Sequence, residues 1–248
     1  GVSVLCLDEK HVQDLIPYIE KRYITYGLSG QADVRAINIT YNRANTSFEA
    51  VYRNNNLGQF RLGVPGLHNV YNALAAIAVA LDLEISLTEI KNALLEFRGV
   101  NRRFQLKAEV NDIMIFDDYG HHPTEIKATL SASKAGWNRR TIVIFQPHRY
   151  TRTKFLLKEF ATAFYQSDIL VVTDIYPAGE EPIEGVSALQ VAEEVKGHGH
   201  KNVMYISNRE ELINQVLEIL RPQDILLTLG AGDVWKIGEH ILHAIERK

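Results

Sequence analysis

Among 248 residues there is a single cysteine, Cys6. One thiol cannot close an internal disulfide, and such scarcity fits a reducing compartment, so a cytoplasmic protein is expected. No apolar run approaches the roughly 20 residues that a membrane helix needs, and no signal peptide opens these residues. Blocks of like charge are missing too. Lys and Arg number 27 against 30 Asp and Glu, a formal net charge of -3, which gives neither nucleic acid nor an anionic membrane a handle. The last absence concerns phosphate. No Gly-x-x-x-x-Gly-Lys-Ser/Thr occurs, and no Gly-Lys dipeptide, so the loop that cradles a triphosphate is not encoded here.

What is present is ordinary for a globular protein: 46% hydrophobic and 23% charged residues, enough to bury a substantial core. The length allows one large domain or two ordinary ones. The chain opens Gly1-Val2-Ser3-Val4-Leu5-Cys6-Leu7 without methionine. That is the middle of a β-like run, so a fragment of a longer protein is expected. Residues 2–7 read as a buried strand. Glu9 to Lys21 reads as a helix with apolar Val12, Leu15, Ile16 and Ile19, and Tyr23–Tyr26 as a short strand. From Ala32 to Val64 the pattern becomes an antiparallel meander of Val34–Tyr41, Ser47–Tyr52 and Gly58–Val64, with Asn-rich turns. A helical run from Gly66 to about Leu81 follows. The stretch from Asp82 to Phe97 reads as a second helix, with Ser86 and Glu89 spaced as a capping box.

Arg98-Gly99-Val100-Asn101-Arg102-Arg103 breaks the periodicity, and a domain boundary is placed there, dividing 1–98 from 99–248. Beyond it strands and helices alternate. The strands are Gln105–Val110, Ile113–Phe116, Thr141–Phe145, Ile169–Ile175, Val203–Ile206 and Ile225–Leu229. The helices are Pro123–Trp137, Arg152–Gln166, Ala188–Lys196, Arg209–Leu220 and Val234–Arg247. Such spacing predicts right-handed βαβ crossovers and a mostly parallel α/β sheet.

In open α/β sheets ligands sit beyond the carboxyl ends of the strands, so the strand-end loops carry the candidate chemistry. Asp117-Asp118-Tyr119-Gly120-His121-His122-Pro123 ends one strand, with proline suited to the first helical position. Its aspartates read as a metal pair, a hydroxyl-binding pair, or a helix cap and its neighbour. Consecutive histidines do not share a helix face, which weakens the metal reading. Gln146-Pro147-His148-Arg149-Tyr150-Thr151-Arg152-Thr153 ends the next strand. Its two arginines at a helix's N-terminal end suit an anionic ligand, or pair with acidic neighbours. Tyr176-Pro177-Ala178-Gly179-Glu180 reads as a polar loop beside the same edge. Gly230-Ala231-Gly232-Asp233 reads as a tight strand-to-helix turn, because Trp235 stands where a dinucleotide fingerprint needs its third glycine. His198 and His200, in a Gly-rich turn, read as solvated.

Nearer the amino end, His68-Asn69-x-x-Asn72 sets two carboxamides one helical turn apart. They suit a base edge such as adenine, or cap the helix through Asn69 with Asn72 exposed. Arg102-Arg103 at the proposed hinge suits a phosphate, or two solvated arginines.

The order of these motifs resembles the Mur ligases of peptidoglycan synthesis. It runs Gly-Leu-His-Asn-x-x-Asn-Ala-Leu-Ala-Ala, Arg-Arg-Phe, Asp-Asp-Tyr-Gly-His-His-Pro-Thr-Glu, Phe-Gln-Pro-His-Arg-Tyr-Thr-Arg-Thr, Tyr-Pro-Ala-Gly-Glu and Gly-Ala-Gly-Asp, and covers essentially the whole chain. The resemblance implies the later part of a central ATPase domain followed by a Rossmann-like domain with a mostly parallel sheet. It implies ATP, Mg²⁺, UDP-N-acetylmuramate and L-alanine as reactants, and amide ligation through an acyl phosphate. A ligase of the same superfamily that recycles muropeptides by adding a tripeptide is the alternative, as is a non-catalytic binding module. Carried over position by position, the resemblance gives Asn69 and Asn72 to adenine, with His68 shaping that pocket. Arg103 goes to the phosphates and Asp118 to the ribose. Tyr119 and His121 line the alanine and muramoyl site, and His148, Arg149 and Arg152 hold anionic groups of the substrate. Arg103, His121 and His148 become the expected catalytic residues. The magnesium ligands and the ATP loop lie outside these residues, so no activity is expected of the chain alone.

Overall fold

The structure, a computed structural model, describes residues 1–247. The chain divides into two compact units, Gly1–Gly99 and a second beginning at Val100.

The first unit runs β1 (Ser3–Cys6), α1 (Lys10–Leu15), a 3-10 turn, β2 (Tyr23–Gly27), β3 (Val34–Asn42), β4 (Asn45–Tyr52), β5 (Asn55–Leu62), α2 (Leu67–Asp82) and α3 (Leu87–Glu96). Its sheet has the order β1-β2-β3-β4-β5. The first three strands are parallel, and β3, β4 and β5 form the expected meander. Thr46, Phe48 and Ala50 alternate inward along β4, and Phe48 stacks on its register partner Phe60 at 5.7 Å. Against this face α2 lays Val70, Ala73, Leu74, Ile77 and Ala78, the i, i+3, i+4, i+7, i+8 stripe of an amphipathic helix. Each large side chain so buried contributes roughly 1.5–3 kcal/mol.

Two helix expectations here are corrected. The helix from Glu9 to Lys21 stops at Leu15, and Ile16–Tyr18 forms a 3-10 turn around Pro17, whose ring removes a donor and crowds the preceding turn. The second helix begins at Leu87, not Asp82, because Glu84 takes a positive φ of 57°. The Ser86–Glu89 capping box is formed in both directions.

The second unit runs β6 (Gln105–Val110), β7 (Ile113–Asp118), α4 (Pro123–Trp137), β8 (Arg140–Phe145), α5 (Tyr150–Phe155), α6 (Leu157–Phe160), β9 (Ile169–Val172), α7 (Ala188–Gly197), β10 (Val203–Tyr205), α8 (Arg209–Ile219), β11 (Asp224–Leu229) and α9 (Trp235–Glu246). The sheet order is β10-β9-β8-β11-β7-β6. All neighbours are parallel except β6, which pairs antiparallel with β7. The last strand is therefore inserted between β8 and β7. Every residue of β11 is buried, as expected of a strand covered on both faces. Phe145, Leu227 and Leu229 belong to the cluster with α4, α6 and α7, and Ile144 and Leu226 to the one with α8 and α9. The single helix expected over Arg152–Gln166 is instead α5 and α6, broken where Leu156 leaves helical values at φ -108°, ψ 16°.

Register decides where the site can lie. Leu229 stands opposite both Asp118 and Phe145, and Phe145 opposite Val172. The carboxyl ends of β7, β11, β8 and β9 are thus level, and the loops that follow them share one edge. Among the described residues no helix is long and apolar enough to cross a membrane.

Candidate functional site

The two aspartates that end β7 do different work. Asp117, 4% exposed in its side chain, pairs with Arg102 at 2.8 Å and accepts from Thr228 Oγ1 at 2.7 Å. Asp118 accepts from the backbone N–H of Phe104 (2.7 Å) and of Gly120 (2.6 Å) and from Thr129 Oγ1 (3.1 Å). Gly120 permits this fold-back, since a Cβ there would come within 2.7 Å of the Asp118 carboxylate. Tyr119 N–H in turn donates to the Arg102 carbonyl at 2.6 Å. The Arg-Arg-Phe segment and the Asp-Asp pair are therefore one structural unit. It holds Arg102 and Phe104 at positive φ, 60° and 45°, values that non-glycine residues keep only when their surroundings fix them.

Neither aspartate is a helix cap: His122 caps α4 through its ring, and Pro123 takes the first position. Three donors leave Asp118 one of about four acceptor positions, and burial pushes its carboxyl upward against those bonds. The remaining position is on Oδ1.

Around this frame stand the other expected residues. Tyr119 is exposed, with the Arg102 and Arg103 guanidinium carbons 5.1 and 5.7 Å from its ring centre. Arg103 also reaches Glu125 at 3.1 Å, so the reading of both arginines as merely solvated is set aside. Glu125, not singled out from sequence, accepts from the N–H groups of His121 (3.0 Å) and His122 (3.1 Å) as well. Burial pushes Glu125 up, but these bonds and Arg103 outweigh it and leave its carboxyl below the ordinary value. The Pro-Thr-Glu spacing at the start of α4 was the available signal for it.

The rings of His121 and His148 lie 5.5 Å apart. His121 Nδ1 is 3.0 Å from the Tyr119 carbonyl. A carbonyl only accepts, so Nδ1 carries the proton and Nε2 keeps a lone pair. His148 Nδ1 lies 3.0 Å from Arg152 Nη1. A guanidinium only donates, so here Nδ1 accepts and Nε2 bears the hydrogen. Burial lowers the pKa of both imidazoles, that of His148 to about 4, with His121, Arg152 and Arg149 adding to the effect. At neutral pH the pair thus presents one acceptor nitrogen and one N–H donor.

Arg149 and Arg152 divide the two readings of the basic loop. Arg149 lies 3.6 Å from Glu180, whose carboxylate also takes Thr151 N–H and Oγ1 at 3.0 and 2.7 Å. The six-residue α5 is therefore already capped by an anion from the protein itself. Arg152 is directed at His148. Tyr176 stacks on His148 with ring centres 5.6 Å apart and planes within 9°. Glu180 and Tyr176 come from the loop read from sequence only as polar. The expectation for His200 is corrected: it is 7% exposed and bonded to the Ser167 hydroxyl at 3.0 Å, whereas His198 is exposed.

In the first unit, Asn69 Nδ2 donates to the Pro65 carbonyl (2.7 Å) and its Oδ1 accepts from Asn72 Nδ2 (3.3 Å). Gly66, not Asn69, is the cap of α2. Exposed Asn72 keeps its carbonyl oxygen and a second N–H beyond the bond to Asn69. His68 is half-buried on the same first turn. Asp8 accepts from Leu28 N–H, Ser29 N–H and the Tyr71 hydroxyl, tying the loop after β2 to α2. Among the described residues no three His, Cys, Asp or Glu side chains gather as a metal ion requires.

A mostly parallel sheet covered by helices on both faces, with its strand ends level, defines an α/β unit of the Rossmann-like class. Residues 102–232 match the Mur ligase glutamate ligase domain and residues 1–80 the Mur ligase middle domain. The chain belongs to the Mur ligase family. It is 53% identical over 246 residues to the UDP-N-acetylmuramate–L-alanine ligase of Geotalea uraniireducens, covering 99% of this chain and 54% of that protein. With the enzyme of the same name from Desulfosudis oleivorans the identity is 54% over 248 residues, 100% of this chain and 54% of that one. The crystal structure of the UDP-N-acetylmuramate-alanine ligase MurC from Thermotoga maritima superposes with a TM-score of 0.76 at 28% identity, covering 90% of this chain and 48% of that chain. The chain thus spans about half the length of the curated relatives it matches.

Proposed function

We propose that the chain is the later part of an ATP-dependent ligase that joins L-alanine to UDP-N-acetylmuramate in peptidoglycan precursor synthesis. The observation that carries this reading is identity above 50% to enzymes of that name along essentially the whole chain. In the proposed reaction the muramoyl carboxylate becomes an acyl phosphate, the alanine amine attacks its carbonyl carbon, and phosphate leaves a tetrahedral intermediate. Such a path gathers negative charge on phosphoryl and carbonyl oxygens and needs an amine stripped of its proton. Arg103, exposed and tethered by Glu125, supplies positive charge for the phosphates. The lone pair of His121 Nε2 suits the amine, and the His148 Nε2–H suits an acyl or carboxylate oxygen. Arg152 adds positive charge there, while Arg149 is held by Glu180 and contributes only at longer range, and Tyr119 walls the site. Asn72, backed by Asn69 and His68, takes the adenine edge, and Asp118 offers its remaining acceptor position to the ribose. The magnesium ligands and the loop that cradles the triphosphate are proposed to lie outside these residues, with Arg103 the contribution to the phosphates from within them.

The test compares acceptors. A longer protein carrying this sequence with its own phosphate-binding loop is assayed with ATP, Mg²⁺ and UDP-N-acetylmuramate, following phosphate release. L-Alanine should be preferred over the tripeptide by at least about 100-fold in kcat/KM, or about 2.7 kcal/mol. Tripeptide preference would transfer the chain to the recycling ligases. The 248-residue chain alone should release no phosphate above background, and turnover there would overturn the role given to the missing loop.

A further inference from the structure

The Gly230-Ala231-Gly232-Asp233 turn has no part in the reaction proposed above, yet it is tightly built. Gln146, 6% exposed, spans it: Val234 N–H donates to Gln146 Oε1 and Gln146 Nε2 donates to Asp233 Oδ1, each at 3.1 Å. Arg209 holds the other Asp233 oxygen at 2.5 Å. Glycine is required at 232 by crowding. A Cβ there would overlap Gln146 Oε1 and come within 2.6 Å of Tyr176 Cγ and 2.8 Å of its Cβ. The root of Tyr176 is thus pressed against a bare backbone, and its ring lies parallel to His148. The backbones of the two partners are stitched together as well. Tyr176 N–H donates to the Pro147 carbonyl at 2.8 Å and Arg149 N–H to the Tyr176 carbonyl at 2.9 Å, around a short parallel bridge.

We infer that Tyr176, seated against side-chain-free Gly232, is a positioning residue that fixes the ring plane of His148 and keeps water from its face. One hydrogen bond from Arg152 to Nδ1 leaves an imidazole free to tilt about that bond; a flat aromatic neighbour removes the tilt. The inference rests on the ligase reading only in treating His148 as a site residue. The groups facing His148 are Arg152, Arg149, His121 and Glu180 besides Tyr176. Three of these disfavour its protonation and Glu180 favours it. Opening the ring face to water would weaken both the burial and the cationic effects.

The test is ¹⁵N–¹H spectroscopy of the histidine rings in the 248-residue chain, titrated without substrate. In the parent, His148 should show the Nε2–H form and titrate with a midpoint near pH 4. Tyr176→Phe should preserve both features. Tyr176→Leu should mix the tautomers and move the titration up toward the ordinary imidazole value of about 6.5. Gly232→Ala should act in the same direction by displacing the root of Tyr176. Buried His200 reports in each sample that the unit is folded. An unchanged His148 in a folded Tyr176→Leu or Gly232→Ala chain would overturn the inference, as would a Phe variant shifted as far as Leu. Should the Leu variant lose its His200 signal, Gly232→Ala decides alone. None of these readings depends on which acceptor the ligase prefers, so failure here and failure of the ligase proposal are separate results.

Discussion

Removing the Arg102 guanidinium tests whether the Asp-Asp pair is a frame for the site. In the parent, Arg102 Nε lies 2.8 Å from Asp117 Oδ2 and Nη2 lies 2.7 Å from the Gly230 carbonyl. The Asp117 side chain is 4% exposed and that of Arg102 25%. Arg102→Ala leaves a buried carboxylate with Thr228 Oγ1 as its remaining side-chain donor. Breaking a fully buried ion pair from one side costs about 3–5 kcal/mol. Arg102 keeps partial contact with water, so a discounted loss of about 2–4 kcal/mol is expected. The two tryptophans of the chain, Trp137 and Trp235, both lie beyond Val100, and Trp137 packs on Phe104 and Phe116 at 5.7 and 5.2 Å. Fluorescence during urea unfolding therefore reports on the second unit next to the altered segment. With a slope of about 2 kcal/mol per M, the midpoint should fall by roughly 1–2 M. Arg102→Lys, keeping charge but losing the fork, should fall between. Adding Asp117→Asn to Arg102→Ala should recover part of the loss, because no unpaired charge then remains. A midpoint for Arg102→Ala within about 0.3 M of the parent would refute the framing role.

Two further outcomes follow from the same geometry. Glu125 has its folded pKa below the ordinary carboxylate value despite burial, through bonds from His121 N–H, Arg103 and His122 N–H. A depressed carboxyl stabilises the fold above its unfolded pKa, and that stability fades as pH falls through the folded value. Glu125→Gln should therefore lose less stability than the parent between pH 6 and pH 3.5, measured by the same urea midpoints; parallel losses would contradict the assignment. In the first unit, Ser86→Ala removes the Glu89 N–H acceptor and half of the capping box. It should cost about 1 kcal/mol, read as roughly fivefold faster hydrogen exchange at Ile90 and its neighbours in α3, and exchange unchanged there would count against the cap.

Local rules carried the sequence reading as far as periodicity and capping reach. The Ser86 box, the Pro123 start of α4 and the alternation beyond Phe104 each depend on residues within one or two turns, and each is present. What local rules could not assign were partners set by topology. Asp117 and Asp118 look alike in sequence; their difference arises because Arg102 and Thr228, 15 and 111 residues away, converge on one of them. His198 and His200 share a glycine-rich turn, yet Ser167, 33 residues distant, draws only His200 inside. The basic loop invited an anion to the start of α5, but Glu180 from the next strand end already sits there.

The same distinction bears on the site's chemistry. Two histidines at successive strand ends were visible as residues, while their complementary protonation was not. One lies beside a carbonyl that can only accept and the other beside a guanidinium that can only donate. Tyr119 belongs to the loop of His121 and Arg152 to the first turn of the helix that follows His148, but the two strand ends face each other because β11 is inserted between β7 and β8 with their ends in register. Under the ligase proposal, an amine and an acyl oxygen need an acceptor and a donor side by side, and this pair of tautomers supplies both without a proton being moved beforehand. The order and register of the strands thereby set which donor and acceptor face each other at this edge of the sheet.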